Sequence, residues 1–433
     1  MDASTIGLLG IVALLVLIAL RVPVAIAMGS VGAIGFGLIN GFDALGFVMG
    51  SAPFQAVFPY TLSVIPLFVL MGVFATHAGL SRNLYEGFYA FFGHLRGGLA
   101  MATVGACAGF GAICGSSIAT AATMCRVALP EMRRRGYADS LATGAIAAGG
   151  TLGIMIPPSI IMVIYGLLTE TSIGKLFIAG VLPGLLATAL YMSAIAFVTW
   201  RDPKLGPAGP RYDWRQTLAA LRRIWDVILL FAVVIGGIYF GWFAPTEAGA
   251  VGAFGAFVFA FARKRLNKTV VRDCVAETAS TTGMIFLILI GANVFNYFMD
   301  VSNLPQLLVA TVDESGLHPY VVLIIILAFY VVLGTFFEEL SMILLTIPFV
   351  FPLIKSLGFD PIWFGVLIVT IVEIGLISPP VGMNLFVVQS VARDVPQITV
   401  MRGVIPFVVA DIIRLAILVT FPWITLVLPS MMD

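Results

Sequence analysis

Two adjacent acids, Glu338 and Glu339, interrupt the apolar run "YVVLIIILAFYVVLGTFFEELSMILLTIPFVFPLI" (320–354). A charge at the centre of a bilayer costs roughly 2.5–3.5 kcal/mol on insertion scales. The pair therefore calls for a cation, for protonation or for water; a carboxyl hydrogen-bonded to the backbone is the plainer alternative. A matching run in the first half, "GLAMATVGACAGFGAICGSSIATAATMCRVALPEM" (98–132), carries Gly115, Ser116, Ser117, Thr120 and Thr123 near its middle. Hydroxyls and a flexible backbone suit both monovalent cations and carboxylates. The competing reading is that such hydroxyls bond back to the carbonyl four residues earlier. Arg126, just after this turn, either meets an anion or snorkels to the interface. Glu373 and the Asp411/Arg414 pair, one helical turn apart, read as structural polar contacts.

After each run comes a second irregularity. "GTLGIMIPPSIIMVIYG" (150–166) and "GLISPPVGMNLFVVQ" (375–389) each hold two prolines inside a stretch apolar enough to cross a membrane. Proline removes a backbone donor and clashes with the carbonyl one turn back. In hydrocarbon each freed backbone group must find another partner. A helix broken at mid-membrane offers unpaired carbonyls and helix ends to a ligand; a plain kink is the alternative.

The elements that hold these residues follow from composition. Of 433 residues, 60% are hydrophobic and 10% charged, with mean hydropathy +1.08. That is too little polar surface for a soluble fold and indicates a polytopic membrane protein. The apolar stretches lack strict alternation, which favours helices over a barrel. A net charge of +1 points to no nucleic acid. No cleavable signal is expected. Cys107, Cys114, Cys125 and Cys274 read as small core residues, and His77, His94 and His318 lie near span ends. No nucleotide-binding loop or H-E-x-x-H motif is present, so neither an ATP-driven pump nor a metalloenzyme is indicated.

The chain is written twice. An offset of 222 carries Gly153, Pro157 and Pro158 onto Gly375, Pro379 and Pro380, and Pro130, Gly136 and Tyr137 onto Pro352, Gly358 and Phe359. "AGVLPG" (179–184) matches "RGVIPF" (402–407). So many matches in order indicate an internal repeat. The expected division is 1–200 as repeat one, with hairpin 98–132 and broken helix 138–169. Residues 201–223 form a linker, and 224–433 form repeat two, with hairpin 320–354 and broken helix 361–392. Segments 44–58, 81–96, 268–281 and 303–315 are short and mixed in polarity, and read as interfacial arm helices.

The linker is basic, and basic loops stay cytoplasmic. That choice puts both termini outside and nearly all Lys and Arg inside, with Lys175 and Lys355 the exceptions. The repeats are then inverted, the signature of secondary transporters with paired broken helices.

These residues carry a resemblance. "GSSIATAATM", "ALPEMRRRGY", "GGTLGIMIPPSIIMVIYG", "FIAGVLPG" and "ISPPVGMNLFVV" make the chain similar, over essentially its whole length, to the large (DctM-type) membrane subunit of tripartite ATP-independent periplasmic (TRAP) transporters. The resemblance implies an all-α, inverted-repeat, elevator-type transporter of the bacterial inner membrane, with two re-entrant hairpins and two broken helices. It implies sodium as coupling ion, no other cofactor, and organic-acid substrates such as C4-dicarboxylates or sialic acids. It implies two partners: a small membrane subunit of about four helices (DctQ-type) and a periplasmic substrate-binding protein (DctP-type).

By the same resemblance each sodium site pairs a hairpin tip with a broken helix. Sodium is then expected at Gly115, Ser116, Ser117, Gly153, Ile156 and Pro158 in the first half, and at Gly375, Ser378, Pro380 and one of Glu338 and Glu339 in the second. Substrate contacts are expected from Ser117, Thr120, Arg126 and Asn384. The rival function is a stand-alone sodium- or proton-coupled carboxylate symporter or exchanger that needs no binding protein. An enzyme would need converging catalytic groups, and none is seen. Two sealed hairpins argue against an open channel.

Overall fold

The structure, a computed structural model, describes residues 2–432. The first half holds ten α-helices: α1 (Ala3–Ala19), α2 (Val24–Asn40), α3 (Phe42–Val57), α4 (Val64–His77), α5 (Leu80–Phe92), α6 (Gly98–Cys114), α7 (Ser117–Arg134), α8 (Asp139–Met155), α9 (Ile160–Leu168) and α10 (Ile173–Arg201). The linker carries α11 (Trp214–Leu221). The second half holds α12 (Trp225–Tyr239), α13 (Pro245–Ala262), α14 (Lys268–Ser302), α15 (Leu304–Ser315), α16 (Pro319–Gly334), α17 (Glu339–Ser356), α18 (Pro361–Ile377), α19 (Met383–Val391) and α20 (Gln397–Thr420), then the short α21 (Trp423–Leu426). No strand occurs among the described residues.

The halves run in parallel order, with one departure. In the first, Pro59 and a 3-10 turn at Tyr60–Ser63 separate α3 from α4. In the second, 268–302 forms one helix of 35 residues, about 52 Å long at 1.5 Å per residue. Segment 268–281 is thus the opening of α14 and not a separate arm helix. No proline falls between 268 and 302 to stop it.

Among the described residues, six helices are long and apolar enough to cross a membrane, or seven if α8 and α9, bent by 42°, count as one broken span. Exposed Leu8, Ile34, Phe254, Ile324 and Ile412 give the outer surface an apolar face suited to lipid. The two interrupted helices sit at the centre: Leu141 to Met155 of α8 and Trp363 to Ile377 of α18 are buried without exception. Each short helix beyond a break packs on the other half's hairpin, α9 on α17 and α19 on α7. Tyr165 of α9 also reaches the start of α18, donating to the Pro361 carbonyl at 2.6 Å.

The linker is stitched to this centre through its backbone. Gly97 N donates to Gly206 O (2.8 Å), Ala138 N to Leu205 O (3.0 Å) and Gly209 N to Gly93 O (2.8 Å). Nearby, Arg133 pairs with Asp139 and Asp394, each at 2.7 Å. The hydrogen bond from Arg133 holds the exposed Asp394 carboxyl below the usual carboxylate range.

Candidate functional site at the paired helix breaks

The first hairpin turns where the sequence predicts, over Gly115 and Ser116. Gly115 has φ +64°, and a Cβ there would lie 2.8 Å from the Pro158 carbonyl oxygen. Handedness and space both demand glycine. One turn earlier, a Cβ on Gly111 would lie 2.5 Å from Gly153 Cα. The hairpin therefore lies backbone to backbone on the break. A Cβ on Gly153 would in turn meet Ser116 O and Thr120 Oγ1, both at 2.9 Å, so two oxygens converge beside Gly153. Thr120 donates to Ser116 O at 2.7 Å, the back-bonded arrangement. Ser116 caps α7 by accepting from Ala119 N at 3.4 Å.

The break itself spans Ile156, Pro157, Pro158 and Ser159, all buried. Ser159 caps α9 by accepting from Met162 N at 3.4 Å. Among the described residues, the carbonyls of Ile156, Pro157 and Pro158 accept no hydrogen bond. Both Pro–Pro bonds of the chain, here and at 379–380, are cis.

The second break repeats the backbone contact. A Cβ on Gly375 would lie 2.6 Å from the Cα, C and O atoms of Gly334, at the end of α16. Ser378 N closes a tight turn on Gly375 O at 3.2 Å, and the carbonyls of Ser378, Pro379 and Pro380 accept no hydrogen bond among the described residues. The oxygens of Leu376 and Ser378 converge 3.0 Å from where a Gly382 Cβ would stand. Unlike the first break, Pro379 and Pro380 are exposed.

The two acids separate in role. Glu338 is the N-cap of α17, accepting from Ser341 N (3.4 Å) and Ser341 Oγ (3.0 Å). That is the backbone-bonded carboxyl, favoured also by the helix N-terminus. Glu339 lies in the first turn, 8% exposed, and its Oε2 has no partner.

Asn384 joins the halves. Buried at the start of α19, it donates from Nδ2 to Ser117 Oγ (2.8 Å) and to the Ala147 carbonyl of α8 (3.0 Å). Its Oδ1 stays unpartnered. Two residues expected to touch substrate are thus brought into direct contact. Arg126 is not brought there. It is exposed and has no ion pair among the described residues. Gly111, Gly334 and Ala147 were not singled out in the sequence. The glycines left a small-residue signal, whereas Ala147 contributes only a carbonyl.

Behind the breaks lies a buried polar cluster. Arg414 donates to Glu373 Oε2 at 2.6 Å and stands 3.0 Å from Asp411 Oδ1. Asp411 Oδ2 is 2.6 Å from the Tyr191 hydroxyl, which is 3.2 Å from Thr151 Oγ1. Residues read singly as structural contacts therefore form one cluster across α8, α10, α18 and α20.

Comparison with known proteins gives the family. Residues 11–424 match the family model described as "Tripartite ATP-independent periplasmic transporter, DctM component". The chain belongs to this family. It is 41% identical over 372 residues to the C4-dicarboxylate TRAP transporter large permease protein DctM of Pseudomonas aeruginosa, covering 86% of each chain. It is 34% identical over 373 residues to the sialic acid TRAP transporter large permease protein SiaM of Vibrio cholerae, covering 86% of this chain and 87% of that one. A solved YdaH transporter from Alcanivorax borkumensis shares the fold, with TM-score 0.65 at 14% identity over 97% of this chain and 99% of that chain. The DctM-family chain is thus an integral inner-membrane permease component and not an enzyme.

Proposed function

We infer that this permease is the carrier of a sodium-coupled, binding-protein-dependent importer of organic acids: a C4-dicarboxylate, a sialic acid or a similar carboxylate. The observation that carries the reading is the pair of breaks. Each presents carbonyls without hydrogen bonds beside a hairpin tip in backbone contact with it. Carbonyl oxygens gathered without a donor are ligands for a hard cation, and a discontinuous membrane helix is where transporters hold one. On this reading one sodium lies at Gly115, Ser116, Ser117, Gly153, Ile156 and Pro158. A second lies at Gly375, Ser378 and Pro380, with Glu339 as its acid because Glu338 is committed to a cap. Substrate sits at the joint of Ser117, Thr120 and Asn384. The hairpins and broken helices move together as an elevator against the outer helices, with both chain termini and the substrate entrance outside. A small four-helix membrane subunit braces the outer helices, and a periplasmic binding protein delivers the acid.

Two sodium ions with one monoanion would move one net positive charge inward. An inside-negative potential of 100 mV adds about 2.3 kcal/mol per charge, roughly fifty-fold accumulation. Uptake into proteoliposomes containing this chain and its small subunit, with the binding protein added, tests this. Accumulation should need sodium outside; for a monoanion it should also rise with the potential, whereas a dianion with two sodium ions moves no net charge. Uptake indifferent to both would contradict the reading; full uptake without binding protein would favour the stand-alone symporter.

A further inference from the structure

The buried cluster behind the breaks holds one acid more than it holds bases. Glu373, Asp411 and Arg414 are each 0% exposed. Glu373 and Arg414 form a short, neutral ion pair at 2.6 Å. Asp411 is left over. Its Oδ1 lies 3.0 Å from Arg414 Nη2, yet without the alignment of a hydrogen bond, and Oδ1 has no other partner. A buried carboxylate without a full counter-charge is unfavourable in a low-dielectric interior and takes a proton or a cation instead. A metal ion does not fit. The guanidinium already stands against Asp411, and among the described residues no three His, Cys, Asp or Glu side chains gather as a metal site.

We propose that Asp411 is a proton-binding site of this permease, carrying its proton on Oδ2 toward Tyr191. The hydroxyl chain beyond it agrees. Thr151 stands 2.7 Å from the Ala148 carbonyl and 3.2 Å from the Tyr191 hydroxyl, a contact in which either oxygen can donate. Were Asp411 ionised, the two hydroxyls would have two protons for three contacts, and one contact would hold none. With Asp411 protonated, Asp411 donates to Tyr191, Tyr191 to Thr151 and Thr151 to Ala148, and every contact holds one.

The internal repeat locates the extra charge independently. Thr151 and Glu373 are repeat-equivalent at the offset of 222, and Tyr191 and Arg414 at the offset of 223 set by "AGVLPG" and "RGVIPF". The Thr151–Tyr191 pair of the first half and the Glu373–Arg414 pair of the second are thus symmetry mates, each neutral within itself. Asp411 stands between them, and its own equivalent at the same offset is Thr188, which donates to Gly184 O. The acid is an addition of the second half alone, and its proton restores neutrality to a cluster that ties both broken helices to α10 and α20.

Infrared spectroscopy of the full chain in lipid tests the site. A protonated carboxyl absorbs above the amide band and an ionised one below it. D411N should fold, since the asparagine amide donates to Tyr191 in place of the acid, and should lose the protonated-carboxyl intensity of one residue. Y191F should keep that intensity but shift it, because the acid loses its acceptor. Y191F also serves alone if D411N proves unstable. A protonated-carboxyl region identical in the wild type and both variants would overturn the proposal.

Discussion

At the first break Ile156, Pro157, Pro158 and Ser159 are all buried, and Gly115 closes over the Pro158 carbonyl. At the second, Pro379 and Pro380 are exposed, and the adjacent tip carries acids, one capping a helix and one without a partner. Both rest on the same backbone device, a glycine of the broken helix pressed on a glycine of its hairpin, Gly153 on Gly111 and Gly375 on Gly334. The difference teaches what the repeat holds fixed. Backbone breaks and close glycine contacts recur, while side chains and exposure around them diverge. At the first break main chain closes over buried prolines; at the second the prolines are exposed and two acids stand at the adjacent tip.

Substitutions sharpen this contrast, beginning with the glycines. A Cβ on Gly375 meets three backbone atoms of Gly334 at 2.6 Å, whereas one on Gly153 meets a carbonyl and a hydroxyl at 2.9 Å. Gly375→Ala should cost about 3 kcal/mol, the upper end for overpacking, and Gly153→Ala about 1 kcal/mol. Thermal unfolding in lipid checks the order; a milder Gly375→Ala would show that the second contact is looser than described. Next in size comes Asn384→Ala, which strands the Ser117 hydroxyl and removes a donor from Ala147 O. A loss of about 2 kcal/mol is expected, with transport impaired beyond the change in stability. Unchanged substrate affinity in the folded variant would remove Asn384 from the joint.

The acids give the smallest effects and the clearest split. Glu338→Gln weakens a cap, about 1 kcal/mol, and should leave sodium dependence alone. Glu339→Gln should raise the sodium concentration needed for half-maximal uptake. The reverse assignment in a sodium titration would contradict the roles given to the two side chains.

Much of this was legible in the sequence because breaks and turns are written in proline and glycine. The offset between Pro157–Pro158 and Pro379–Pro380 located both broken helices, and "CGSSIAT" and "GTFFEELS" located both tips. Other features left weaker traces. The continuity of α14 depends on an absence, the lack of any counterpart to Pro59. The Asn384–Ala147 bond ends on a carbonyl, which any residue supplies. Arg126 could have been placed correctly: it lies nine residues beyond Ser117, two and a half turns of helix, and so on the opposite face of α7. Glu373, Asp411 and Arg414 were visible one by one, but only the crossing of α18 and α20 makes them a cluster with surplus charge.

The reading of the breaks as ion sites is tested most directly by sodium titration of uptake in Pro158→Ala and Pro380→Ala, with thermal stability followed in parallel. Alanine restores one backbone donor at the break, which can draw a free carbonyl into a hydrogen bond even with the neighbouring proline in place. Each variant should remain folded while sodium affinity falls at least tenfold, about 1.4 kcal/mol, each through its own ion. Unchanged sodium dependence in both folded variants would show that these prolines only bend helices and that sodium binds elsewhere.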